Sequence, residues 1–347
     1  KSTTNEKKTN IMSDITNPHD KFFSDLWTRK EIAQDFLEHY LPEDVRRHLS
    51  LDTLEIQKDS FVEEDLTEQF SDLLYRVDLA GGRIVIKYIL FEHKSYPDHY
   101  VAVQLLRYMS AIWHQHLKNK LTRDSENLSQ LPLVIPLVFY HGAENWHPRS
   151  LGELIDSVPE SLTPYIPDFR FAFSNFAASV SPEFRGDALL RAILRLLHTM
   201  PGGDLHKELD QIMVLLKGIV KDPTGKSIFR TMIEYIYAAQ DEVTPEDVGS
   251  MARNQISTTA EDEAMTVAEK LRKEGMQVGE KKGKQEGMEV GEKKGEFKVL
   301  QRQLENRFGK LPEQYRKRLE QADSETLLKW SERVLTAQTI EDVFDQR

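Results

Sequence analysis

The sequence predicts an α/β protein with a helical C-terminal extension, and three observations carry that prediction. Apolar residues recur at helical spacing near the start, then give way to β-branched and aromatic runs. A Gly-Gly turn separates two of those runs. Beyond about residue 150 the pattern returns to helical spacing and stays there. At 347 residues and 39% apolar composition the chain can build a sizeable core, at roughly 100–200 residues per domain.

Residues 1–17 are polar and aperiodic and read as a disordered leader, with Met12 a plausible start. From Pro18 to Tyr40, Phe22, Phe23, Leu26, Trp27, Ile32, Phe36 and Leu37 keep helical spacing until Leu41-Pro42 stops it. Thr53–Ile56 and Phe70–Val77 are short strand candidates. Ala80-Gly81-Gly82 then turns the chain into the run Arg83–Phe91, which makes a hairpin. A helix over Asp98–Lys118 places Val101, Leu105, Tyr108 and Ile112 on one stripe. Leu133–Tyr140 is a buried strand that Pro136 pushes toward an edge or a bulge, because proline donates nothing to a ladder. Helical stretches follow at 184–200, 204–220 and 225–240. The expected layout is a leader (1–17), an α/β core (18–148), a helical subdomain (149–260), a charged repeat (261–298) and a small helical module (299–347).

The repeat has glycine at 275, 279, 283, 287, 291 and 295, and EGMQVGEKKGKQ recurs as EGMEVGEKKGEF. A helix loses about 1 kcal/mol per glycine relative to alanine. Two readings stay open: an oligomerisation helix with a smooth ridge that forms a homo-oligomer such as a dimer, or a charged flexible linker.

Lys and Arg number 46 against 57 Asp and Glu, a formal charge of −11, which argues weakly against a non-specific nucleic-acid coat. With no cysteine, disulfide scaffolds, thiolate-held metals and thiol nucleophiles are excluded, so any metal is expected to be held by oxygen. No apolar run approaches the ~18 residues of a membrane span, and the expected location is the cytoplasm.

The hairpin puts Asp72 on its first strand and Glu92 and Lys94 at the end of its second. Residues two apart on a strand leave by the same face, so Glu92 and Lys94 share one and His93 takes the other. Two carboxylates beside a lysine suit metal-dependent phosphodiester hydrolysis. The acids offer hard oxygen ligands to Mg²⁺, or to Mn²⁺ or Ca²⁺, and the ammonium balances charge developing on the phosphate. The bland alternative is a strand-end ion pair between Glu92 and Lys94. On the next helix, Gln104 and Tyr108 stand at i,i+4 on one face, with Arg107 between them.

The segments PHDKFF, SFVEEDLTEQFSDLLYRV, YILFEHKS, QLLRYM and PLVFYHG, in that order, closely resemble the recombination-promoting nuclease family. Its members are also labelled YhgA-like putative transposases and belong to the PD-(D/E)xK nuclease superfamily. The resemblance covers about residues 18–250 and implies a restriction-endonuclease-like core, a central mixed sheet flanked by helices. It also implies a metal-dependent DNA endonuclease that leaves a 5′-phosphate and a 3′-hydroxyl. Asp72, Glu92 and Lys94 match the catalytic triplet, with Asp72 and Glu92 as the metal ligands. Gln104 and Tyr108 match the QxxxY motif of RecB-like members. Gln104, Arg107 and Tyr108 would position DNA or support the acids. Asp20 matches an acid that some members place near the metal, although a helix N-cap role suits it equally. His141 belongs to a family signature and is a candidate substrate contact. Ser71 departs from the proline of the superfamily motif.

Gly225-Lys226-Ser227 imitates the end of a phosphate-binding loop, but position 220 is Val where that loop needs Gly. His114 and His116 diverge around a helix and make poor joint ligands. The expected function is therefore a DNA endonuclease serving recombination, transposition-linked processing or defence against foreign DNA. Two rivals stand beside it: a catalytically silent DNA-binding or regulatory protein that assembles partners through its helical tail, and an RNA-directed nuclease.

Overall fold

A computed structural model describes residues 18–57, 73–80, 87–121, 130–240 and 243–344. Asp72, the 1–17 leader and the Gly81-Gly82 turn lie outside the described residues. Five strands form one open mixed sheet in the order β1 (Leu49–Ile56), β2 (Leu73–Leu79), β3 (Lys87–Lys94), β4 (Leu133–Tyr140) and β5 (Ala172–Asn175). β1, β2 and β3 pair antiparallel, whereas β3–β4 and β4–β5 pair parallel. The expected α/β class with a mixed sheet and a helical C-terminal region is what the chain adopts.

The predicted single helix over Pro18–Tyr40 is two, α1 (Pro18–Trp27) and α2 (Lys30–Tyr40), because Arg29 takes an extended conformation (φ −89°, ψ 118°). After α3 (Glu43–Arg46) and the first three strands comes α4 (Val101–Leu121), the helix expected over Asp98–Lys118. Pro136 is not on an edge, since β4 lies between β3 and β5. The β5 ladder begins only at Leu137↔Ala172, so the missing proline donor falls just before pairing on that side starts.

Strand alternation divides the sheet into two apolar faces. Ile89, Phe91, Leu137 and Phe139 pack with α1 and α2 in the larger core. Tyr88, Leu90, Val138 and Tyr140 pack with Val101, Leu105, Tyr108 and Ile112 of α4. The larger core continues through α5 (Ala188–Thr199), α6 (Leu205–Leu216), α7 (Pro223–Ala239) and α8 (Pro245–Gln255). Asp187, Asp204 and Asp222 cap the first three by accepting from Leu190, Lys207 and Gly225 amides, and Thr244 closes a capping box with Asp247. Gly225 is therefore part of a helix start, not a phosphate cradle. A Cβ there would meet the Ile219 carbonyl oxygen at 1.8 Å, which explains the glycine.

The repeat lies within one helix, α9 (Thr258–Phe308). Contacts divide the chain into residues 1–271 and 272–347. In the first unit, Ala260, Ala264, Val267 and Ala268 of α9 are buried in the larger core. In the second, Leu300 and Leu304 pack with α10 (Glu313–Gln321), α11 (Ser324–Arg333) and α12 (Ile340–Phe344) around Tyr315, Leu319, Trp330 and Phe344. Among the described residues no helix is long and apolar enough to cross a membrane.

Candidate active site

The face of β3 that packs on α4 turns polar at its C-terminal end. Tyr88 and Leu90 are followed at the same period by Glu92 and Lys94, which remain almost fully buried at 1% and 7% exposure. Buried charges persist only when paired or when they hold an ion. Lys94 Nζ donates to Glu92 Oε1 at 3.0 Å, to Asp98 Oδ2 at 3.0 Å and to Gln104 Oε1 at 2.7 Å. Gln104 Nε2 in turn donates to the Tyr108 hydroxyl at 2.6 Å, so the i,i+4 pair on α4 forms one chain with the lysine. Burial alone would lower the Lys94 pKa. The charge of Glu92 and the bonds to Asp98 and Glu92 outweigh it and hold the ammonium above its ordinary value.

The second carboxylate oxygen, Glu92 Oε2, is buried and has no hydrogen-bond partner among the described residues. An unmade bond at a buried charged acceptor costs about 1–3 kcal/mol or more. A hard cation is the partner such an oxygen fits. β2 begins at Leu73, opposite Phe91 of β3, one residue from Asp72 and one from Glu92 in sequence. Among the described residues no three His, Asp or Glu side chains converge as a metal-binding group. Glu92 is thus one oxygen donor in place, and Asp72, the other expected ligand, lies outside the described residues.

Asp20 and His141 converge on His93 on the opposite face of the sheet rather than on Glu92. His93 Nδ1 lies 3.1 Å from Asp20 Oδ1, and His93 Nε2 lies 2.7 Å from His141 Nε2. The Leu197 carbonyl only accepts, so His141 Nδ1–H donates to it (3.3 Å) and His141 Nε2 accepts from His93. His19 adjoins this group, with its Nδ1 2.7 Å from the Tyr235 hydroxyl. Burial, then the neighbouring charges of His93 and His19, hold the His141 pKa well below its ordinary value. Arg107 is exposed on α4 beyond Gln104.

Sequence reasoning missed Asp98, whose signal was present. It lies four residues after Lys94, immediately before a helix, where short acidic side chains cap. It also missed the histidine group, because His19, His93 and His141 come from α1, β3 and the end of β4.

These features define an α/β protein with a buried carboxylate–ammonium centre at the C-terminal end of the middle strand of its sheet. The chain belongs to the YhgA-like putative transposase family, whose pattern matches residues 17–226. It is 31% identical over 259 residues to the recombination-promoting nuclease RpnD of Escherichia coli O157:H7, covering 73% of this chain and 94% of the relative. It is 31% identical over 267 residues to the recombination-promoting nuclease RpnA of Escherichia coli K12, covering 75% and 85%. The inactive recombination-promoting nuclease-like protein RpnE of the same strain is 30% identical over 277 residues, covering 78% and 87%. No solved structure matches the chain significantly.

Proposed function

We propose that the chain is a divalent-metal-dependent DNA endonuclease acting in recombination, transposition-linked processing or defence against foreign DNA. The observation that carries this reading is Glu92: a buried carboxylate with one oxygen bonded to Lys94 and the other without a partner among the described residues. The names of the relatives RpnA and RpnD support it. Glu92, with Asp72, would hold Mg²⁺, Mn²⁺ or Ca²⁺. When bound, such a cation supplies a lowered water pKa and charge stabilisation at the scissile phosphate. Lys94, held protonated by its acidic neighbours, sets a positive charge beside the phosphate oxygen on which negative charge develops. In the net reaction a water oxygen bonds to phosphorus, the bond to the 3′-oxygen breaks, and that oxygen takes the proton. Gln104 and Tyr108 keep Lys94 in place through the Nζ–Oε1 and Nε2–OH contacts.

The second reading, a catalytically silent regulator, draws support from the relative named inactive. Plasmid cleavage with Mg²⁺ by wild type and by Asp72→Ala and Lys94→Ala separates the two. The nuclease reading expects cleavage that both substitutions remove, and the silent reading expects none from any chain. The homo-oligomer is likewise a proposal. Its support is the row of helical glycines at 279, 283, 287, 291 and 295, where an added Cβ would meet nothing within 4 Å.

A further inference from the structure

A lysine ammonium has three N–H donors and no acceptor. In this chain each donor has a fixed acceptor: Glu92 Oε1 at 3.0 Å, Gln104 Oε1 at 2.7 Å and Asp98 Oδ2 at 3.0 Å. The first comes from the same strand and the second from α4. The third comes from the short connection between them, and Asp98 uses both of its oxygens. Its Oδ1 accepts from the Tyr100 amide at 2.9 Å, and its carbonyl accepts from the Val101 amide at 3.4 Å. One carboxylate thus ties the start of α4 to the lysine of the candidate site.

We propose that Asp98 is a positioning residue of the nuclease site, holding the Lys94 ammonium where it can meet the scissile phosphate; this rests on the nuclease reading above. A lysine stem is flexible and its charge is a point, so the direction of the charge is set by what surrounds it. With Glu92 engaged by a cation, its Oε1 attracts the ammonium less strongly. Among the described residues, Asp98 is then the one anionic acceptor of Lys94 besides Glu92. Gln104 offers a neutral oxygen only. Misplacing a reacting group by about 1 Å is enough to cost on the order of 100-fold in rate.

The test is Asp98→Asn in the full chain. Asparagine caps helices as well as aspartate does, so the start of α4 keeps its acceptor for the Tyr100 amide. Its remaining group is an NH₂, which meets the ammonium donor to donor. With supercoiled plasmid and Mg²⁺, the expected result is a kcat lowered about 10- to 100-fold. KM for DNA and the Mg²⁺ concentration for half-maximal rate should both stay at wild-type values. Cleavage at the wild-type rate by Asp98→Asn, alongside an inactive Lys94→Ala, overturns the positioning role and leaves the nuclease reading intact. So does a loss carried by KM with kcat at the wild-type value, since Asp98 would then act on DNA binding alone. A shifted Mg²⁺ requirement would make Asp98 a metal ligand and equally overturn the proposal. A wild type that cleaves nothing removes both claims together.

Discussion

Glu92 and Lys94 sit two residues apart on β3 with Oε1 and Nζ at 3.0 Å, both almost fully buried, and the other glutamate oxygen has no partner among the described residues. An ion pair complete in itself would leave no acceptor unmade. The half-satisfied carboxylate is the oxygen on which the proposed cation site rests.

Metal binding is expected to appear as stabilisation even without DNA. A ligand present at a hundredfold its Kd raises folding stability by about 2.7 kcal/mol. Mg²⁺ should therefore raise the melting temperature of the wild type and leave Glu92→Gln unchanged. Equal shifts in both chains would show that Glu92 is not a ligand.

The histidine group predicts acid lability. Burial holds His19 below its ordinary pKa, and burial with the charges of His93 and His19 holds His141 well below. Unfolded histidine titrates near pH 6.5, so below that value the unfolded chain takes up protons that the folded chain refuses. Stability therefore falls with pH, by up to about 1.4 kcal/mol per pH unit for each such group. Thermal melts between about pH 7.5 and pH 5.5 should show this fall, and His19→Gln should flatten it. An unaltered slope would place the acid lability elsewhere.

Tyr96 and Tyr100 flank Asp98 and stand 64% and 67% exposed. Exposed aromatic rings beside the proposed nuclease site suit stacking on bases, worth about 1–3 kcal/mol per base. Replacing both with Ala should raise KM for DNA roughly tenfold or more and leave kcat near wild type. An unchanged KM would make them bystanders.

The tail separates its two readings by truncation and by glycine replacement. Because Ala260, Ala264, Val267 and Ala268 are buried in the larger core, a deletion must begin after Leu271 to leave that core intact. On the oligomer reading, light scattering finds the full chain at a multiple of 40.2 kDa and the truncated chain as a monomer. Gly279→Ala, Gly283→Ala and Gly291→Ala add methyl groups into open space, and each should stabilise the helix by about 1 kcal/mol. Loss of the oligomer in these variants would place the glycines at the contact. An unchanged monomeric mass for all chains would make the helix a spacer.

Much of this arrangement was legible in the sequence. The run Leu133–Tyr140 is a strand from end to end because its apolar residues are continuous, and the pair Glu92–Lys94 shares a face because strands alternate. Other features were hidden for physical reasons. β5 is only four residues, AFSN, three of them half-buried and Ser174 buried, without alternation. The break at Arg29 is masked because the apolar stripe runs through both α1 and α2. His93 meets His141 only through the parallel register of β3 on β4, which pairs Lys94 with Tyr140.

The most direct measurement is nicking of supercoiled plasmid with Mg²⁺, Mn²⁺ or Ca²⁺ by wild type, Asp72→Ala and Lys94→Ala. Removing a group that acts only in the transition state lowers kcat on the order of 100- to 1000-fold. The account predicts metal-dependent nicking by the wild type, abolished by EDTA, with both variants slowed by at least that much. Equal nicking by all three chains would contradict it.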